Sequence, residues 1–137
     1  MDQDQDLFVT IQRAADHLMQ EPQALLKEHG LSAQQYNVLR ILRGASGSLN
    51  CTEIAGRMIN RDPDITRLLD RMESRGWIER TRDSGDRRVV LASITPAGLE
   101  LLAVLDAPIL ACHQGQFAGL SAGAKAQVAE TLKLLLS

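Results

Sequence analysis

Residues 49–98, LNCTEIAGRMINRDPDITRLLDRMESRGWIERTRDSGDRRVVLASITPAG, decide the fold. Asn50 is a good N-cap and Glu53 stands three residues on, the reciprocal pair of a capping box, with Leu49 and Ile54 placed to staple the chain's entry. A short helix over 51–59 follows, and residues 60–62 form a turn. Asp62 then caps a second helix with Pro63 at its first position, where a missing N–H does no harm. Ile65, Leu68, Leu69 and Met72 recur at helical spacing, and Gly76 suits the residue just past the helix end. Two short helices across a tight turn predict a helix-turn-helix. Residues 79–82 and 87–94 read as strands around Asp83-Ser84-Gly85-Asp86, a hairpin in which Gly85 tolerates positive φ. Thr95-Pro96 is an N-cap followed by Pro, so a new helix starts at once.

Nine of the chain's fifteen cations fall within residues 53–88, and all nine are arginines: Arg57, Arg61, Arg67, Arg71, Arg75, Arg80, Arg82, Arg87 and Arg88. Eight acids share the segment, leaving it near +1 within a chain of net charge −2, so the direction in which the arginines point matters more than the balance. With successive residues about 100° apart around a helix, Pro63, Arg67, Asp70 and Ser74 lie opposite the apolar stripe, and Thr66 and Arg71 lie on its shoulders. This layout suits a protein that sets a helix and a β-ribbon against nucleic acid. Arg67 has the chemistry to take a guanine bidentately, typically worth about 1–3 kcal/mol of discrimination, and Thr66 to meet a thymine methyl or a phosphate. Arg80, Arg82 and Arg87 are expected to neutralise phosphate and fix register. Asp64 either complements the helix dipole or accepts from a cytosine amino group. The arginines and acids spaced three or four apart could also form only a solvated, ion-paired helix face.

Outward from this segment the chain reads as helical. Leu7, Ile11, Ala14, Ala15 and Leu18 give an amphipathic first helix, which Pro22 should end or kink near Glu21 before a further turn over 23–29 stopped by Gly30. Ser32 and Gln35 form a second capping box, with Leu31 ahead of it, for a mostly buried helix carrying Tyr36, Leu39, Ile41 and Leu42. Downstream, Leu99, Leu101, Leu102, Val104, Leu105, Ile109 and Leu110 cover most faces of one helix, with a kink expected at Pro108. A helix apolar all round calls for burial on all sides, which in so short a chain suggests a second subunit. Ser121 caps a last helix over 122–136, with Val128, Leu132 and Leu135 expected to face inward.

The chain has 137 residues, one domain's worth, and 45% are hydrophobic but only 3% aromatic. The acidic Met1-Asp2-Gln3-Asp4-Gln5-Asp6 is not expected to act as a signal peptide. No unbroken apolar run is long enough to span a bilayer, so a cytoplasmic protein without a membrane partner is expected. Cys51 and Cys112 lack CxxC spacing, which fits a reducing compartment. His17, His29 and His113 have no ligand spacing, so neither a metal nor another cofactor is expected. No nucleophile–base or paired-carboxylate constellation points to an enzyme.

The order helix, helix, helix-turn-helix, charged hairpin, ITPAG, long apolar helix resembles the MarR family of bacterial winged-helix transcriptional regulators. LSAQQYNVLRIL (31–42), LNCTEIAGRM (49–58), DPDITRLLDRMESRGWIER (62–80) and DSGDRRVVLASITPAG (83–98) carry the likeness. The family's wing commonly reads Asp-x-Arg-Asp-x-Arg. Here Gly85 stands where the first Arg often does, and Asp86-x-Arg88 matches the second half.

The resemblance implies a mainly α fold with a small β-hairpin wing, a single domain over 1–137. Residues 32–94 would form the winged helix-turn-helix, and 7–29 with 96–137 the helical dimerisation part. It implies a homodimer with its first, fifth and sixth helices interlocked, and a recognition helix from Pro63 to Arg75 in the major groove. Arg88 would enter the adjacent minor groove, held by Asp86. Two-fold symmetry implies an inverted-repeat operator with half-sites about one helical turn apart. The function implied is a repressor released by a small, often phenolic effector, with His17, Tyr36 and Trp77 as candidate pocket residues. Two alternatives remain open: oxidation sensing through Cys51, at a helix start, or Cys112; and a winged helix that binds protein instead of DNA.

Overall fold

A computed structural model describes residues 2–137. Its elements are α1 (Gln3–Glu28), α2 (Ala33–Ala45), β1 (Leu49–Asn50), α3 (Cys51–Arg57), α4 (Ile65–Ser74), β2 (Ile78–Arg82), β3 (Val90–Ile94), α5 (Pro96–Gln116) and α6 (Ala122–Leu134). The fold is mainly α with a small β wing, as the sequence predicts.

Side-chain caps set most helix starts. Ser32 and Asn50 each accept the N–H of the residue three on while Gln35 and Glu53 reach back, giving two complete capping boxes. Thr95 accepts from the Gly98 N–H and Ser121 from the Ala124 N–H. The first helix begins earlier than its apolar rhythm suggests, because Asp2 caps it through the Gln5 N–H and Asp4 and Asp6 favour its positive end.

Pro22 does not end α1, the first of the two outcomes expected of it: the helix runs on to Glu28. The proline removes the N–H that would bond the Leu18 carbonyl; Gln116 Nε2, from the last turn of α5, donates to that oxygen at 2.7 Å instead. In α5 the helix likewise continues through Pro108 to Gln116.

The antiparallel sheet has strand order β1-β3-β2, with Leu49 opposite Ala92 and Arg80 opposite Ala92 on the other side. The two-residue β1 adds a strand that the hairpin reading lacks. Between β2 and β3 the chain loops over residues 83–89, so Arg87, Arg88 and Val89 precede the strand in which they were expected. Positive φ occurs at Gly30, Gly76 and Ser46 among the described residues, not at Gly85. Gly76, at φ 78, is the left-handed stop that ends the α4 turn.

One core joins the elements: Leu26 and Leu31; Val38, Leu39 and Leu42; Leu49 and Ile54; Leu68, Leu69 and Met72; Trp77, Ile78 and Ala92; and Leu102, Leu105 and Ile109. Gly98 lets α5 approach the wing root: a Cβ there would lie 2.4 Å from the Trp77 carbonyl oxygen. Arg43 of α2 forks onto Asp106 of α5 at 2.9 and 3.0 Å.

The inward facing expected of α6 is not met in the single chain. Val128, Leu132 and Leu135 are exposed, as are Leu99, Val104 and Leu110 of α5 and Leu7, Phe8 and Val9 of α1. Within one copy these faces have no core to enter. As a whole α5 is long and apolar enough to cross a bilayer, though no single run in it is; its Leu102, Leu105 and Ile109 instead enter the core of this domain.

Candidate nucleic-acid interface

Because Leu68, Leu69 and Met72 are buried, the opposite side of α4 must face out. Thr66, Arg67, Asp70, Arg71 and Ser74 all lie on that outward side, and neither they nor Pro63 ahead of the helix is buried. The helix starts later than expected: its cap is Asp64, whose Oδ1 accepts the Arg67 N–H at 3.0 Å. Asp62 serves the turn before it, accepting the Asp64 N–H at 2.8 Å, and Pro63 lies in that turn, outside the helix. Asp64 thus has the capping role, with its Oδ1 engaged within the chain. The Ser74 hydroxyl donates back to the Asp70 carbonyl at 3.0 Å. Among the described residues, neither Arg67 nor Arg71 forms an ion pair.

Arg80 is arranged differently. From β2 its Nε and Nη2 donate to Glu73 Oε1 at 3.1 and 2.9 Å, and its backbone N–H donates to Glu73 Oε2 at 2.9 Å. Nη2 also donates to Asp70 Oδ1. These bonds from the Arg80 side chain and backbone hold the Glu73 carboxyl below its ordinary range. The wing strand is thereby tied to the outward side of α4.

At the wing tip the Asp83 N–H donates to the Val89 carbonyl at 2.9 Å, and Arg82 Nη1 to the Arg87 carbonyl at 3.0 Å. Asp86 takes three bonds from Arg88, through its N–H, Nε and Nη2, each at 3.1 Å. They lower the Asp86 carboxyl below its usual range, side chain first. The Arg88 side chain nonetheless remains 91% exposed, an oriented cation projecting into solvent.

Of the residues considered for an effector pocket, His17 is exposed, Tyr36 is half-buried beneath the Arg40 guanidinium, and Trp77 is buried with the Arg75 guanidinium 4.4 Å from its ring centroid. A shallow concavity beside the α1–α2 turn is lined by Gln23, Lys27, Gly30, Leu31 and Ser32 among others, and by none of these three. Cys51 is half-buried and Cys112 buried, both as free thiols; burial pushes the Cys112 thiol up, disfavouring its thiolate. Among the described residues no three His, Cys, Asp or Glu side chains gather as metal ligands do.

The MarR family model matches residues 31–90. The solved MarR transcription factor of Planctomyces limnophilus is 36% identical, over 98% of each chain, with a TM-score of 0.76. This chain belongs to the MarR family. Its function is accordingly that of a DNA-binding transcriptional regulator. The transcriptional repressor MprA of Escherichia coli K12 is 28% identical to this chain over 88% of it and 69% of its own length. A cysteine-to-serine mutant of E. coli MarR, solved in complex with operator DNA, is 25% identical with a TM-score of 0.82 and full coverage of both chains.

Proposed function

We propose that this MarR family protein is a homodimeric repressor whose α4 helices enter successive major grooves of an inverted-repeat operator while its wings reach the flanking minor grooves. The observation that carries this reading is the Asp70–Arg80 bridge, which ties the exposed side of α4 to the wing strand. Thr66, Arg67 and Arg71 on the helix and Arg82, Arg87 and Arg88 on the wing are all exposed, and in this reading they form one DNA-facing surface. Arg67 reads a base edge, with Thr66 beside it. Pro63 and Ser74 mark the two ends of the contact. Arg71, Arg82 and Arg87 neutralise phosphates, and Arg88, steered by Asp86, enters the minor groove, where width and potential are read.

The second copy is inferred from the uncovered apolar faces of α1, α5 and α6, since contiguous exposed apolar surface marks an interaction site. The helical part, 7–29 with 96–137, is the clamp, and 32–94 the reading head. A small effector, phenolic or of similar chemistry, releases DNA by preferring a dimer spacing that mismatches the operator; in this reading Tyr36, Trp77 and His17 contribute only once a partner completes the site. The protein acts in the cytoplasm, without enzymatic activity.

Titrating a labelled inverted-repeat duplex against salt, with scrambled duplex as competitor, tests the reading. A steeply negative slope with preference for the repeat supports it. Equal, salt-insensitive binding to both duplexes would refute it.

A further inference from the structure

A helix pressed against DNA should carry no bare anions, since like charge facing like across an interface is strongly unfavourable. Yet Asp70 is exposed between Arg67, Arg71 and Ser74, and Glu73 adjoins it. Arg80 meets both carboxylates. Its Nη2 spans Glu73 Oε1 and Asp70 Oδ1, its Nε takes Glu73 again, and its own N–H takes the remaining Glu73 oxygen. The Arg80 side chain is 21% exposed, against 91% for Arg88. One arginine is thus spent inside the protein and the other projects from it.

We propose that Arg80 is a positioning residue, which masks Asp70 and Glu73 from the DNA and locks β2 to α4, in place of the phosphate contact that its position in the sequence suggests. The masking lets a helix bearing two acids approach a polyanion, and the lock sets the distance from recognition helix to wing. The planar fork is needed for this, because an ammonium offers a point charge and cannot span two carboxylates in fixed geometry. The inference rests on the proposal that α4 and the wing together meet DNA.

The test measures duplex affinity across a salt series for folded dimers of Arg80→Lys, Arg80→Gln and the triple variant Asp70→Asn/Glu73→Gln/Arg80→Gln. Arg80→Gln should weaken binding at least about tenfold, since two carboxylates are bared, and flatten the salt slope. The triple variant should recover to within about threefold of wild type and regain the slope, because no anion is left to mask. Arg80→Lys should lose several-fold, regained on adding Glu73→Gln. The inference is overturned if Arg80→Lys binds like wild type, or if the triple variant stays as weak as Arg80→Gln with its slope still short by about 0.9, the signature of a missing phosphate contact. A role in folding alone would lower the melting temperature without moving the slope, and would equally overturn it. Absence of duplex binding by the wild type would instead sink the underlying DNA-binding geometry.

Discussion

Gln116 donates its side-chain amide to the Leu18 carbonyl at 2.7 Å, across 98 positions of chain. That oxygen is the one Pro22 leaves without its helical donor, and Pro22 itself is buried. The bond therefore repairs α1 and pins it to the end of α5. His113 Nδ1 lies 3.0 Å from Gln116 Oε1, so the amide is held at both ends.

Gln116→Ala should lower stability by about 1 kcal/mol, the usual worth of one such hydrogen bond. In a Pro22→Ala background the restored N–H satisfies Leu18, and the same change should cost almost nothing. A double-mutant cycle by chemical denaturation measures the difference; equal costs in both backgrounds would contradict the pairing.

Gly98→Ala should be more damaging, at about 1–3 kcal/mol as an overpacking change. Its Cβ would sit 2.4 Å from the Trp77 oxygen and 2.7 Å from Ile94 Cγ1, so backbone must move. Thermal unfolding reads the loss, and near-UV circular dichroism should report a shifted Trp77.

Caps, stripes and chain order are legible in the sequence, because Ser32, Asn50, Thr95 and Ser121 act on residues three positions away. What escaped the sequence depends on distant neighbours. Nothing near Pro22 announces Gln116, and nothing near Arg80 says that its strand will lie beside Glu73 and Asp70. The two-residue β1 is too short to show alternation. The sequence points to Asp62 as the cap, and the turn geometry gives that role to Asp64 instead. The outward side of α4 was readable because its burial follows from helical periodicity alone. The α6 expectation failed because periodicity says which residues share a face but not which molecule covers it.

Acid should loosen the ion-paired contacts in a defined direction. Glu73, Asp86 and Asp106 are each held below the ordinary carboxylate range by hydrogen bonds from Arg80, Arg88 and Arg43. A depressed folded-state value means that the unfolded chain binds the proton first as pH falls. The stabilisation is thus whole above the ordinary range and is lost as pH drops through the depressed values. Since these side chains are substantially exposed, solvent screening keeps each contribution small. Carboxyl titrations by NMR should show all three below their values in the corresponding Arg→Gln variants; coincident curves would remove the effect.

Charging the uncovered α6 face should separate the subunits. Leu132→Glu and Leu135→Glu each remove a side chain whose burial is worth about 1.5–3 kcal/mol, and each sets a carboxylate in the proposed interface. Sedimentation velocity should show a shift from dimer to monomer, with the helical signal retained. Unchanged dimers would place the interface elsewhere.

Arg67 and Arg88 carry the decisive measurement. Affinities of Arg67→Ala and Arg88→Ala for a panel of single-base operator variants, each across a salt series, should diverge. Arg67→Ala is expected to flatten discrimination at one base pair by about 1–3 kcal/mol, while Arg88→Ala weakens every duplex and reduces the salt slope by about one. Wild-type affinity, discrimination and slope in both variants would contradict the assignment of α4 and the wing as the surface that reads DNA.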